Sequence, residues 1–600
     1  MKMKEKRTGI SILFGLTFIS PVFYSIKFYE MDVVQRVYFF SVSLLLFLVY
    51  LRSFRHQEKI QLNKLLFLLL AFFPITFTTS FFNGSSSLII LQLSDLVIPL
   101  SILLESAMLF LILGEDKFFK VVSFSVVIVS TIFSLIGVLE VFQIKFLDLP
   151  TIIAPGSTLG HRSFAAEYLL PSLPFLLVLK EYLSKEKKIY LTLPAIINIS
   201  FLLFTRNRSG IIILAAILIL YILFVLLKKE KGEKLKILTP VLGVISVSFL
   251  ISLVPAKGTE RPDIESTATT IFDTDYKSNS LRLKFWEASL QMIQEKPITG
   301  VGLFKWSGYY PKYNSDYFTN ETVTHIHNIH AHNDFLELFA ESGVAASLFF
   351  LMIYISVIIN LLLRIKANEK YFYLLLSFLI TSAYSLVAFP NHKFASFFLA
   401  CVVAGTTLIR LNGQGNSSFS VKFNYLKWSL LFFIVIGGIT SYVRLKSEIN
   451  FGEAMYLKGR AQYPMMYERL EKISELLYPF DSSKQPIDYY RGIANSYLKD
   501  YPEALKNNLS GQELAPYNPT IMRNIASSYY SMKNFEKAIE QLEKVKKYFP
   551  NYVAPQINLL ELYTETGQSE KEEPLYEELK KKAPDDPLLH QYEIKYKSRK

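Results

Sequence analysis

The sequence predicts an all-α protein, a polytopic membrane helix bundle of about 13 spans followed by a soluble stack of short helical pairs. Three observations carry this. Long apolar runs recur up to about residue 445, and a run near 20 residues matches the hydrocarbon thickness of a bilayer when it is helical. Short basic clusters recur between the runs as cytoplasmic loops should. Beyond residue 450 the apolar runs give way to amphipathic segments with a 34-residue period.

The 600 residues are 51% apolar, with 49 Phe and 36 Tyr, too hydrophobic in blocks for a soluble core. The spans fall at 9–27, 36–51, 65–82, 88–114, 121–142, 163–180, 189–205, 210–227, 237–254, 335–363, 371–389, 394–410 and 426–443. The first lacks a small-residue cleavage site and is followed at once by another, so it reads as an anchor and not as a removed signal peptide. A net charge of +13 would suggest nucleic acid in a soluble protein. Here short loops carry it, where it orients helices, and no nucleic-acid partner is expected. The single cysteine, Cys401, excludes an internal disulfide framework.

Lys2, Lys4, Lys6 and Arg7 place the N-terminus in the cytoplasm, and every second loop should then be basic. Four are: Arg52 to Lys64, Lys180 to Lys188, Lys228 to Lys236, and Arg364 to Lys370. It follows that segment 143–162, the loop 255–334 and everything after residue 443 lie outside. Arg206 and Arg208 also lie outside, against the charge rule. A charge kept against orientation points to function, with interfacial snorkelling as the plain alternative.

Pro516, Pro550 and Pro584 recur at 34 residues, each closing an amphipathic pair: 489–498 with 501–514, 521–532 with 535–548, and 555–566 with 570–582. A more divergent pair is expected at 453–480. The period and the small and aromatic positions resemble the tetratricopeptide repeat, a stack with a concave face for a peptide, protein or glycan. The chain thus divides into a membrane domain, 1–445, and a repeat domain, 450–600. Nothing in the repeats looks catalytic.

Polar residues on the outer face cluster in four places: Ser157-Thr-Leu-Gly-His-Arg-Ser-Phe-Ala-Ala-Glu167; Thr205-Arg-Asn-Arg-Ser209; Ser280-Leu-Arg-Leu-Lys-Phe-Trp286 leading to Glu295-Lys-Pro-Ile-Thr-Gly-Val-Gly302; and the histidine run beginning at His325 that leads into Glu341-Ser-Gly343. Guanidinium forks match phosphate oxygens and stay charged, so several arginines at a membrane surface suggest a diphosphate ligand. A histidine beside them can take the proton of an attacking hydroxyl. That set fits a transfer in which phosphate leaves. His325, His327, His330 and His332 admit three readings: a zinc site, one catalytic histidine among accessory ones, or solvated loop residues. With no cysteine and no HExxH-like spacing among them, no metal is expected. The rings of Phe304, Trp306, Tyr309, Tyr310, Tyr313 and Tyr317 suit either a glycan groove or ordinary interfacial packing.

Taken in order, these motifs resemble the O-antigen ligase and polymerase superfamily of membrane glycosyltransferases. The family pattern is matched by Thr205-Arg-Asn-Arg208, Arg282-Leu-Lys-Phe-Trp286, Pro297-Ile-Thr-Gly-Val-Gly302, His332-Asn-Asp-Phe-Leu336 and Glu341-Ser-Gly343, with Gly160-His-Arg-Ser-Phe-Ala-Ala-Glu167 before an earlier span. The likeness covers roughly 120–410. Two positions depart from the pattern: Asn207 stands where the family has Ser, and Ser163 where it has Asn. The resemblance implies transfer of a glycan from an undecaprenyl-diphosphate carrier to a hydroxyl at the outer face of the cytoplasmic (inner) membrane, without cofactor or metal. It makes His332 the catalytic base, with Arg208 and Arg282 holding the diphosphate. Arg206, His161, Arg162, Trp286 and Asn333 are candidates for the surrounding substrate-binding shell. The acceptor implied is a lipid-A core sugar, another carrier-linked repeat or a protein hydroxyl. A transporter using Asp95, Glu105, Glu140 or Glu167, and a scaffold acting through its repeats, are the alternatives of another class.

Overall fold

A backbone in lipid must satisfy its own hydrogen bonds, so the apolar runs become helices. The computed structural model describes residues 2–28, 30–51, 59–82, 88–145, 147–255, 264–270, 273, 277–323, 329–410 and 418–597. Each predicted span coincides with a helix there. Ten helices among the described residues are long and apolar enough to cross a membrane, and Arg7–Val22 and Phe394–Leu408 are shorter apolar ones. The chain is nearly all-α. Among the described residues the exception is a two-stranded antiparallel pair, Ile60–Asn63 with Ser418–Val421, which ties two distant interhelical connections together.

The Ile89–Leu113 helix is buried along most of its length and packs against Phe394–Leu408 and Phe423–Gly459. At one end of the bundle Lys229 pairs with Glu369 (2.5 Å) and Lys370 with Asp116 (2.8 Å), ion pairs in the expected basic loops. The opposite end gathers the described parts of the connections at 143–145, 147–161, 205–207, 277–323, 329–333 and 385–393, which carry the candidate site.

The Phe423–Gly459 helix runs without a break from the last apolar span into the C-terminal helices. Three carboxylates and two guanidiniums fix it. Asp95 Oδ1 lies 3.0 Å from Arg36 Nη1 and 2.6 Å from Arg444 Nη1, Arg444 Nη2 lies 2.9 Å from Glu30 Oε1, and Glu448 Oε1 accepts from the Glu30 amide at 2.9 Å. Beyond it, each helix from Ile487–Tyr497 to Ser569–Lys582 packs on the next. Asp500, Asn518 and Asn534 cap three of them with side-chain oxygens. These helices also seat on the long loop: Phe318 and Val323 pack with Met522, Val545, Phe549 and Tyr552, and Asn320 Oδ1 accepts from the Ala554 amide at 2.8 Å.

Two of the aromatic residues of that loop are withdrawn into packing, while Phe304, Tyr309, Tyr313 and Tyr317 are partly buried. Trp306 and Tyr310 are fully buried, stacked at 5.1 Å, with Phe285 edge-on to both. Tyr309 packs on Tyr517 of the C-terminal helices. Helices on both sides of these rings cover them, which the sequence of the loop alone does not disclose.

Candidate active site

The turn from the Thr192–Phe204 helix into Arg208–Lys228 is built by its own polar residues. Thr205 Oγ1 donates back to the Leu202 carbonyl (2.6 Å), and Arg206 takes a φ of 50° to reverse the chain. Asn207 then caps the next helix, its Oδ1 accepting from Gly210 N at 2.6 Å. Asn207 Nδ2 donates to Ser163 Oγ at 3.1 Å. The two residues that depart from the family pattern thus touch each other. The contact between the two turns is an amide–hydroxyl hydrogen bond.

The two arginines of this turn part ways. Arg206 is buried and donates to the carbonyls of Leu203 (3.0 Å) and Ser252 (2.7 Å), which secures the turn to the end of the Lys231–Ser252 helix. Arg208 reaches into the long loop, where it donates to the Thr270 carbonyl at 2.7 Å and to Ser278 Oγ.

Arg282 and Trp286 lie one helical turn apart on Lys277–Glu295, hence on one face. Burial and the nearby Arg208 charge lower the pKa of Arg282, Glu167 opposing them, though a guanidinium stays charged regardless. Arg282 Nε and Trp286 Nε1 are both shielded from solvent without a hydrogen-bond partner among the described residues. Two like charges held this close suit an anionic ligand.

His161 caps the Arg162–Ser172 helix, its Nδ1 accepting from Ser163 N at 3.1 Å. Its free tautomer therefore carries the proton on Nε2. Burial pushes its pKa down to about 4, with Arg162 and Lys393 adding to the shift. Arg162 begins the helix beside it.

His332 has a φ of 53°, and its ring lies nearly parallel to Phe285 (centroids 5.7 Å apart) and edge-on to Phe389 (4.9 Å). Its Nδ1 is shielded and has no hydrogen-bond partner among the described residues. Burial takes its pKa down to about 3, helped by Arg282 and His161, so the imidazole is neutral at physiological pH. Asn333 is a capping residue: its Oδ1 accepts from the amides of Phe335 and Leu336, both at 3.1 Å, and starts the Asp334–Ile365 helix.

The glycine motifs hold this helix in place. Val301 N donates to Ala340 O (2.8 Å), Gly302 N to Glu341 O (2.9 Å) and Val344 N to Pro297 O (2.9 Å), so Pro297–Gly302 lies directly along the backbone around Glu341–Gly343. Gly343, at φ 75°, breaks the helix there, and a Cβ on it would collide with the Ile298 carbonyl. Glu341 Oε1 accepts from the Trp306 amide at 2.9 Å.

Beside the site a cavity of about 810 Å³ runs between the bundle and the segment Leu477 to Lys484. His161, Phe164, His330, Asp334, Glu337 and His392 face it from the site side. Sequence reasoning singled out neither Glu337 nor His392. His392 stands between two spans with no motif around it, so only its place in the fold reveals it. His325 and His327 lie outside the described residues.

The acidic residues considered for transport have structural partners or neighbours. Asp95 pairs with two arginines, Glu167 lies near Arg282 and bonds Ser396, and Glu140 accepts from Thr151 Oγ1 and the amides of Gly156 and Ser157. Glu105 is buried far along its helix, in a small apolar pocket.

Residues 193–351 match the family model of O-antigen ligase, Wzy_C. That segment contains Arg206, Arg208, Arg282, Trp286, His332, Asn333 and both glycine motifs, and it supports the likeness read from the sequence. His161, Arg162, His392 and the C-terminal helices fall outside it. No curated protein gives a match to the chain. With its membrane-length helices, the chain is a multi-pass membrane protein resembling a group of glycan-transferring enzymes.

Proposed function

We propose that the protein transfers a glycan from an undecaprenyl-diphosphate carrier to an acceptor hydroxyl at the outer face of the cytoplasmic membrane. The observation that carries this reading is the convergence of Arg208, Arg282 and His332 from three separate segments: Arg208 bonds Ser278 on the helix that carries Arg282, and the His332 ring lies against Phe285 of that same helix. In this reading the acceptor oxygen attacks the anomeric carbon of the carrier-linked sugar. The bond from that carbon to the diphosphate oxygen breaks, and its electron pair leaves with the lipid diphosphate. The acceptor proton passes to the imidazole of His332. Arg208 and Arg282 face the charge that grows on the leaving diphosphate, which stabilises the transition state more than the ground state. His161, Arg162 and Trp286 border the ligand, while Arg206 and Asn333 hold the two segments that present the charged groups.

The C-terminal helices, read as a tetratricopeptide-like domain over 450–600, would dock a large acceptor or a protein partner on the same outer face, the N-terminus being cytoplasmic.

The test is transfer in vitro, with purified protein in lipid supplied with carrier-linked glycan from the native host. Wild type is expected to consume the carrier-linked species, and the product's new attachment identifies the acceptor as lipid, glycan or protein. His332→Ala and Arg208→Ala are each expected to abolish this while the protein still inserts. Full activity in either variant removes that residue's assignment. An untouched carrier pool with folded wild type rejects the transferase reading.

A further inference from the structure

His330, Glu337 and His392 bring one ligand atom each to within 4.8 Å of one another at the wall of the 810 Å³ cavity. His330 Nδ1 lies 2.7 Å from Glu337 Oε1, His392 Nε2 lies 3.3 Å from the same oxygen, and Asp334 Oδ1 lies 3.7 Å from His392 Nε2. On a tetrahedral zinc ion with bonds of about 2.0–2.2 Å, neighbouring ligand atoms sit roughly 3.2–3.6 Å apart. The 3.3 Å and 3.7 Å separations lie close to that range, whereas His330 and Glu337 are joined by a direct 2.7 Å hydrogen bond that an entering ion would have to replace. Asp334 supplies a second, independent observation. Its side chain is only 2% exposed, and Oδ1 is shielded with no hydrogen-bond partner among the described residues. A buried carboxylate oxygen without a donor is costly unless something cationic reaches it.

The remaining ligand-side atoms are already oriented. Glu337 Oε2 accepts from the Ala331 amide at 2.7 Å, and Asp334 Oδ2 accepts from Asn391 Nδ2 at 2.6 Å. Such partners fix a ligand's direction before the ion arrives. Seven carboxylates and four Lys or Arg residues line the cavity, so its charge favours a cation even though Lys393 and Lys484 are close by. Two imidazoles with carboxylates suit Zn²⁺, Co²⁺ or Ni²⁺, whereas Mg²⁺ and Ca²⁺ prefer oxygen alone.

We propose that His330, His392 and Glu337 form a zinc-class metal site, with the Asp334 carboxylate beside it, that fastens the loop carrying His332 to the 390–392 turn. The ion's task here is positional. His330 lies on the loop of His332, Glu337 lies in the first turn of the helix that follows it, and His392 holds the ion from a different interhelical connection. The site does not rest on the transfer reading, since its readout is metal binding.

The full-length protein, purified in detergent with an affinity tag free of histidine, is stripped with chelator and titrated with Co²⁺, then Zn²⁺. Wild type is expected to take up one ion per chain, with the visible absorption of four-coordinate Co²⁺. Glu337→Gln and His392→Ala are each expected to weaken binding at least tenfold, and His590→Ala, far away on the C-terminal helices, is expected to leave it unchanged. Absence of binding by wild type, or equal affinity in His392→Ala, overturns the proposal. Should the variants aggregate, X-ray absorption of zinc-loaded wild type decides: two imidazole ligands support the site, and any other number overturns it.

Discussion

Asn207 and Ser163 offer a test of packing that needs no knowledge of substrate. Their 3.1 Å hydrogen bond joins the turn carrying Arg208 to the start of the helix that follows His161. Asn207→Ala removes that bond, worth about 0.5–1.5 kcal/mol, together with the helix cap to Gly210, worth about 1 kcal/mol. The single variant should therefore lose roughly 2 kcal/mol. Asn207→Ser keeps a capping oxygen but is too short to reach Ser163, so it should lose only the contact, about 1 kcal/mol. Ser163→Asn alone places two amides against each other and should also destabilise. The double exchange, Asn207→Ser with Ser163→Asn, restores one amide and one hydroxyl. It should recover about 1 kcal/mol relative to the sum of the single variants, as residues in contact do. The assay is equilibrium unfolding in mixed SDS–detergent micelles, with the four variants compared against wild type. Additivity within about 0.3 kcal/mol, the behaviour of distant sites, would refute the contact and with it the registry of the two turns.

Three other predictions follow from particular residues. Gly343→Ala should destabilise the protein by roughly 1–3 kcal/mol or prevent its accumulation, because the residue needs φ 75° and its Cβ meets the Ile298 carbonyl. Gly459→Ala, in open space at a helix end, should be tolerated in the same unfolding assay. Asp95→Asn should leave Arg36 and Arg444 without their shared carboxylate and lower stability by roughly 2–3 kcal/mol, towards the low end for a buried pair because Asp95 is 30% exposed. A shift below about 0.5 kcal/mol in unfolding would show the network to be incidental. The pH profile is the third. His332 and His161, lowered to about 3 and about 4, bind fewer protons when folded than when unfolded, so both stay neutral as pH falls through 6.5. Their contribution to stability is present above the unfolded pKa and diminishes from about pH 6.5 downward. Second-order transfer rates at limiting donor should accordingly stay level from pH 8 to about pH 5, and a tenfold fall per unit starting near 6.5 would contradict the neutral, buried His332.

Local sequence largely determined the helices. Apolar length forces a lipid-exposed backbone into helix wherever it occurs, and caps such as Asn207, Asn333 and Asn518 act within three residues of themselves. The ordered motifs around Arg208, Arg282 and His332 were legible for the same reason, each being a short pattern along the chain. Tertiary structure decided which of these residues share a space and which are absorbed into packing. Arg206 and Arg208 are two residues apart, yet one binds backbone carbonyls and the other reaches the long loop. Of the aromatic residues that suited a glycan groove, Trp306 and Tyr310 are buried in a small core, Tyr309 packs on Tyr517 of the C-terminal helices, and Phe304 lines the cavity. His392 joined His330 and Glu337 only because the turn before the Phe394–Leu408 helix packs beside the Asp334–Ile365 helix. Helical periodicity is written in neighbouring residues, but proximity across helices depends on how whole elements bury their surfaces against one another, and no local pattern records that.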